Sequence, residues 1–166
     1  MNVDRILAAF NLHEVDYLLI GGINFLLRHA PVLTYDIDLW IEDSTQNRTR
    51  CEQAVAELQA EWGASDEDWG PVAARAPGWL GRQAVFCLTS PFGAIDVFRA
   101  VKGLDDWTVC REKAVPAATT SGVPFLGLAD EDMLRCQLVL PDAEQDRERI
   151  EVLKRILERA HDVEPR

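Results

Sequence analysis

The sequence predicts an α/β chain of α+β character. Strands and helices interleave over its first two thirds, and a helical segment closes it. Three observations predict this. Residues 16–20 and 35–41 are short apolar runs with the length and composition of strands. Two further apolar runs flank Ser90-Pro91-Phe92-Gly93, the pattern of a hairpin. From residue 130 onward, apolar residues recur every three or four positions, which is the period of an α-helix.

The elements follow in order. Residues 3–12 read as a short helix with Ile6, Leu7 and Phe10 on one face. The strand at 16–20 runs into Gly21-Gly22. The stretch "INFLLRHA" then reads as a helix that Pro31 stops. After the strand at 35–41, residues 44–62 read as a helix with Asp43 or Ser44 as N-cap and Val55, Leu58 and Trp62 on its inner stripe. Residues 63–83 mix Gly, Pro and charge with two tryptophans and read as a long loop or flap. The hairpin pairs 84–89 with 94–101. A smaller hairpin is expected around Ser121-Gly122, demoted by its prolines to an edge or a loop. Helices are expected at 130–140 and 142–161. Ile150, Leu153, Ile156, Leu157 and Ala160 share a face of the last one, and Glu148, Arg149, Glu151 and Arg155 read as its solvated faces.

Length and composition bound the function. A chain of 166 residues suits one domain, here a core of about 1–128 with a helical tail at about 129–162, and buries about 70% of its unfolded surface. The apolar fraction of 48% supports a core and argues against disorder. A net charge of −11 disfavours extended nucleic-acid binding, but not nucleotide binding through metal ions, which bring their own charge. Cys51, Cys87, Cys110 and Cys136 are dispersed and form no CxxC pair, so reduced thiols in a cytoplasmic protein are expected. No signal peptide and no membrane-spanning run is read from the sequence.

The chemistry concentrates around Asp36-Ile37-Asp38. Residues two apart on a strand point to one face, so Asp36 and Asp38 project together while Ile37, Leu39 and Ile41 face the core. Two adjacent anions repel and resist burial, so a cation or water must reach them. Mg²⁺ takes oxygen ligands and commonly uses one or two carboxylates together with substrate phosphates. Asp96, between Ile95 and Val97, offers a third carboxylate if its strand lies beside 35–41. Three converging acids can hold two metals about 3.5–4 Å apart, as in-line phosphoryl transfer often requires. Gly21-Gly22, between a strand and a helix, lets backbone N–H groups approach a phosphate at a helix N-terminus.

The order Gly-Gly, Asp-x-Asp and a later acid between apolar neighbours resembles the nucleotidyltransferase superfamily, with its DNA polymerase beta-like fold. The nearest flavour is that of small bacterial nucleotidyltransferases, which include toxins of toxin–antitoxin and abortive-infection systems. The resemblance implies a mixed β-sheet flanked by helices, and an NTP donor held with Mg²⁺ or Mn²⁺. It implies transfer of a nucleotidyl group to a hydroxyl with release of pyrophosphate. Gly21 and Gly22 match the family's glycine motif, Asp36 and Asp38 its paired metal ligands, and Asp96 its third acid, which also draws off the acceptor's proton. Thr34 either positions a phosphate or ends a loop. The acceptor stays open among a small molecule, RNA and a protein, although a cationic, aminoglycoside-like molecule suits an acidic cleft.

The chain also departs from the family. Val32 stands where small relatives commonly carry Arg. Gln137 and Gln145 replace lysines, and Arg149 replaces an acid. The second reading is therefore a degenerate relative that binds nucleotide or a partner protein without catalysis. Arg28 and His29 are candidates to compensate. Lys102, Arg99 and Arg111 read as surface charges, with Arg99 on the wrong strand face to join Asp96. His13, His29 and His161 lack metal-ligand spacing. Trp69 and Trp79 are expected to dock the loop onto the core rather than stack on a base.

Overall fold

The computed structural model describes residues 1–104 and 106–163. In chain order these form α1 (Val3–Leu12), β1 (Tyr17–Ile20), α2 (Gly21–Arg28), β2 (Asp36–Ile41), α3 (Thr45–Glu57), β3 (Glu61–Trp62), β4 (Gly70–Pro71), β5 (Val85–Leu88), β6 (Ala94–Phe98), α4 (Trp107–Lys113), β7 (Val115–Ala118), β8 (Pro124–Gly127), α5 (Asp130–Leu138) and α6 (Arg147–Val163). Among the described residues, six strands make one mixed sheet in the order β5-β6-β2-β1-β8-β7. The β2/β6 and β1/β8 pairs are parallel, and the other three are antiparallel.

Strand alternation gives the sheet two differently covered faces. Leu19, Ile37, Leu39, Phe86, Ile95 and Val97 pack against α1, α3 and the loop after α3. Leu18, Ile20 and Trp40 face the other way and meet Phe25 of α2, Cys110 of α4, Met133 of α5 and Leu153 of α6. The second face therefore depends on the C-terminal helices for its cover. Asn47, in the first turn of α3, is buried and fixes how the two central strands begin. Its amide donates to the carbonyls of Asp16 (2.9 Å) and Glu42 (2.8 Å) and accepts from the Asp16 N–H (2.8 Å).

Several expected boundaries shift, for identifiable reasons. The helix expected to reach Trp62 ends at Glu57, because Gln59 adopts a left-handed backbone (φ 54°). The Ala60 N–H then bonds to the Val55 carbonyl and the Gln59 N–H to that of Ala56, which makes a Schellman end without a glycine. Helix α1 stops the same way at Glu14 (φ 52°). Trp62 remains buried, but from β3. The glycine pair lies inside the first turn of α2 rather than ahead of it. Helix α4, seven residues long and capped by Asp106, was not anticipated; its run is too short to show a period. The last helix starts at Arg147 rather than 142, where the Asp146 carboxylate accepts the Arg149 N–H at 3.0 Å. Both hairpins form. The proline-bearing β7 lies at the sheet edge, whereas β8 pairs with the central β1.

The loop after α3 is docked rather than open. Trp79 is 2% exposed, stacks on Trp62 at a 5.7 Å centroid distance and meets Phe86 edge-on at 5.2 Å. Arg75 lies over the Trp62 ring at 4.6 Å and donates to the Trp62 carbonyl. Trp69 is 43% exposed and donates to Glu61. No helix among the described residues is long and apolar enough to cross a membrane. Trp79→Ala should lower unfolding free energy in urea by about 3–5 kcal/mol. Trp69→Ala should cost less than about 1 kcal/mol, because its side chain fills no core space.

Candidate active site

Register brings the acids together. In β2 and β6, Asp36 pairs with Ala94 and Asp38 with Asp96. On either side, Ile20 of β1 lies opposite Asp38, and Cys87 of β5 lies opposite Asp96. Ile20, Asp38, Asp96 and Cys87 thus form one row across four strands. Asp36 stands two residues along from Asp38 on the same face. One carboxylate oxygen from each of Asp36, Asp38 and Asp96 lies within 4.8 Å of the others. The expected convergence of the three acids is present.

Two of the carboxylates, Asp38 and Asp96, are poorly compensated by protein alone. Burial and the neighbouring Asp36 and Asp96 push the Asp38 carboxyl up to about 7. Arg149 and a hydrogen bond from the Gly22 N–H oppose that rise without cancelling it. Burial, with Asp36 adding to it, also raises Asp96, while a hydrogen bond with Cys87 lowers it. Burial and the nearby acids in turn push the Cys87 thiol up to about 11. Three carboxylate oxygens at this spacing fit a hard divalent cation.

The glycines matter by what they leave out. Gly21 has φ +64°, and a Cβ there would lie 1.9 Å from Asp38 Oδ2. A Cβ on Gly22 would lie 2.7 Å from Thr34 Oγ1. Only a bare backbone lets α2 start against both residues. Thr34 Oγ1 lies 3.2 Å from the Asp36 carbonyl and 3.3 Å from its carboxylate. The Gly22 N–H, expected to face a phosphate, donates here to Asp38.

A cavity of about 410 Å³ opens beside the acids. Gly21, Gly22, Thr34, Asp36 and Asp38 line one wall, and residues of α5 and the turn after it line another. Asp96 does not line it; its carboxylate meets the other two acids and also hydrogen-bonds the exposed Cys87 of β5. The basic residues considered from sequence sort clearly. Arg28 and His29 do not compensate for the missing cations: both bind Asp130 at 2.8 Å, and Arg28 also donates to the Leu128 carbonyl. Arg99 is tied to Asp43 at 2.7 and 2.9 Å, and Arg111 lies over Trp107. His13 pairs with Glu57, and the His161 side chain lies outside the described residues. Lys102 lines the cavity.

Arg149 corrects the sequence reading. It was expected on a solvated face, but its side chain is only 14% exposed and reaches the cavity wall. One helical turn separates it from Leu153 of the buried stripe, and that spacing was the signal available in the sequence. Gln137 and Gln145, expected from the resemblance to stand in place of lysines, make backbone contacts. Gln137 Oε1 accepts the Asp146 N–H at 2.9 Å, and the Gln145 amide donates to the Leu140 carbonyl at 2.9 Å.

Known structures share this arrangement of elements. ANT(2")-Ia, solved with adenylyl-2"-tobramycin, superposes with a TM-score of 0.60 at 16% identity, over 95% of this chain and 90% of its own. The chain has the nucleotidyltransferase fold. LnuA, a lincosamide antibiotic adenylyltransferase solved with lincomycin, also shares it, with a TM-score of 0.53 at 17% identity over 91% of this chain and 93% of its own. No protein-family model and no curated protein matches the sequence. Within the nucleotidyltransferase fold, the mixed sheet and the flanking C-terminal helices correspond to the architecture expected from sequence.

Two measurements follow. Asp38 ionises near pH 7 when folded but near 3.9 when unfolded, so between these values the folded chain holds a proton that the unfolded chain has lost. Metal-free stability attributable to Asp38 should therefore fall as pH rises from about 4 to about 7 and level off above that window. In EDTA, urea midpoints of the wild type should show this fall relative to Asp38→Asn. Gly21→Ala should lose about 1–2 kcal/mol from backbone strain alone and more from displacing Asp38. Its midpoint and its Mn²⁺ affinity, read by titration, should both drop.

Proposed function

We propose that this protein is a metal-dependent nucleotidyltransferase, moving a nucleotidyl group from an NTP to a hydroxyl acceptor and releasing pyrophosphate. The observation that carries this reading is the meeting of Asp36, Asp38 and Asp96 oxygens within 4.8 Å, beside a glycine turn that a side chain would block. Divalent ions, Mg²⁺ or Mn²⁺, held by these three residues would neutralise both the carboxylates and the phosphate charge.

The chain's own groups divide the work by position. Gly21 and Gly22 let α2 start against Asp38 and Thr34, which sets the helix N-terminus beside the acids where a triphosphate would bind. Thr34 Oγ1 borders the same wall and offers a hydroxyl to the donor. Asp96, outside the cavity, meets an acceptor arriving from the β5 side. The acceptor oxygen forms a new bond to the α-phosphorus, the bond to pyrophosphate breaks, and the hydroxyl proton passes to an Asp96 carboxylate oxygen. The raised Asp96 pKa supports this role, since it makes the carboxylate a stronger base. Tobramycin and lincomycin in the similar structures make a small-molecule hydroxyl the first acceptor class to test, and the net charge of −11 favours a cationic one. RNA and protein acceptors complete the panel.

The second reading is nucleotide or partner-protein binding without catalysis. It rests on Val32, Gln137 and Gln145 standing where relatives carry basic side chains. Labelled NTPs with Mg²⁺ or Mn²⁺ and the acceptor panel separate the two. Wild type should transfer label, and Asp38→Ala should lose about a hundredfold or more of that rate. Equal labelling by both proteins rejects the assigned role of Asp38. Nucleotide binding with no transfer to any acceptor favours the second reading.

A further inference from the structure

Arg149 is built into the cavity rather than resting on the surface. Its side chain leaves α6 on the edge of the buried stripe, with the guanidinium over the Phe25 ring at 5.6 Å. Phe25 belongs to α2, one turn beyond Gly21-Gly22, so this contact holds the charge beside the glycine turn. Its side-chain polar partner is Asp146, at 3.4 Å, longer than a good hydrogen bond. Its Nε is buried with no partner at all. A guanidinium has five donors in a rigid fork, and leaving a buried donor unfilled is costly. This fork borders a cavity whose other wall is Asp36 and Asp38.

A ligand that satisfies both walls must be anionic toward Arg149 and able to share cations with the acids. A metal-bound polyphosphate meets both demands, and the fork geometry matches phosphate oxygens. The apolar remainder of the lining, including Ile20, Phe98, Val101, Leu128 and Met133, leaves room for the attached nucleoside. We propose that Arg149 binds the triphosphate of the donor, supplying from α6 the positive charge that Val32, Gln137 and Gln145 do not provide. Asp146 and Phe25 act as positioning residues for it. The assignment rests on the nucleotidyltransferase reading.

Calorimetric titration of the full chain tests it without turnover. The probes are inorganic tripolyphosphate and the four common NTPs, each with Mg²⁺, and Mn²⁺ alone. Arg149→Gln should weaken polyphosphate and NTP binding by about tenfold to a hundredfold. Arg149→Lys, which keeps charge without the fork, should fall between it and wild type. Arg155→Gln, on an exposed position of the same helix, should bind as wild type does. Mn²⁺ affinity of Arg149→Gln should hold or rise, since a cation near Asp38 has been removed. Wild-type polyphosphate affinity in Arg149→Gln overturns the assignment while leaving the nucleotidyltransferase reading intact. Equal loss of Mn²⁺ and polyphosphate binding also overturns it, because the residue would then be supporting the acids. A wild-type protein that binds neither NTP nor tripolyphosphate overturns the nucleotidyltransferase reading and this assignment together.

Discussion

The parallel register between β2 and β6 is the constraint on which the molecule turns. It sets Asp38 level with Asp96. A slip of one residue would turn one acid toward the core and bring Ile95 or Val97 to the site. The register is protected from both sides. Ile37, Leu39, Ile95 and Val97 are fully buried on the opposite face, and a one-residue slip would take them out of that core. The apolar core thus aligns the polar site, and Ile20, Leu128 and Met133 carry it to the cavity wall. Asn47 extends the same control to the entry of β1 and the exit of β2 through hydrogen bonds that no neighbouring side chain duplicates.

The site's electrostatics run against the fold's own stability. Three acids gathered at partial burial repel one another, and the fold answers with only partial compensation from Arg149 and the Gly22 N–H. Elsewhere the chain pairs its charges readily: Arg99 with Asp43, Arg75 with Asp68, Arg28 with Asp130. The contrast separates charges paired within the scaffold from acids that the scaffold leaves only partly compensated. A strained cluster of this kind persists because the surrounding sheet over-determines it.

Much of this was legible in the sequence because alternation on strands is a rigid rule. Asp36 and Asp38 had to share a face, and Asp96 joined them once its strand was placed next door. The Gly-Gly pair was visible, though its reason was not: the space beside Asp38 and Thr34 is a tertiary fact. Helix ends were harder to read. Glu14 and Gln59 take left-handed backbone without being glycine, so both Schellman ends lacked their usual marker. Arg149 was misread for a similar reason. Among the many charges on α6, Arg149 stands one turn before the buried Leu153, but only packing against α2 shows that its guanidinium meets Phe25.

The cover on the sheet's second face has a consequence for how the chain is divided. Leu18, Ile20 and Trp40 are sealed in part by Leu128, Met133 and Leu153, which come after β8, and the first two of these also shape one side of the cavity. A fragment trimmed to the strands would expose an oily patch next to its acids and invite self-association. The terminal helices are therefore no appendage: removing them would discard one side of the vessel along with its handle.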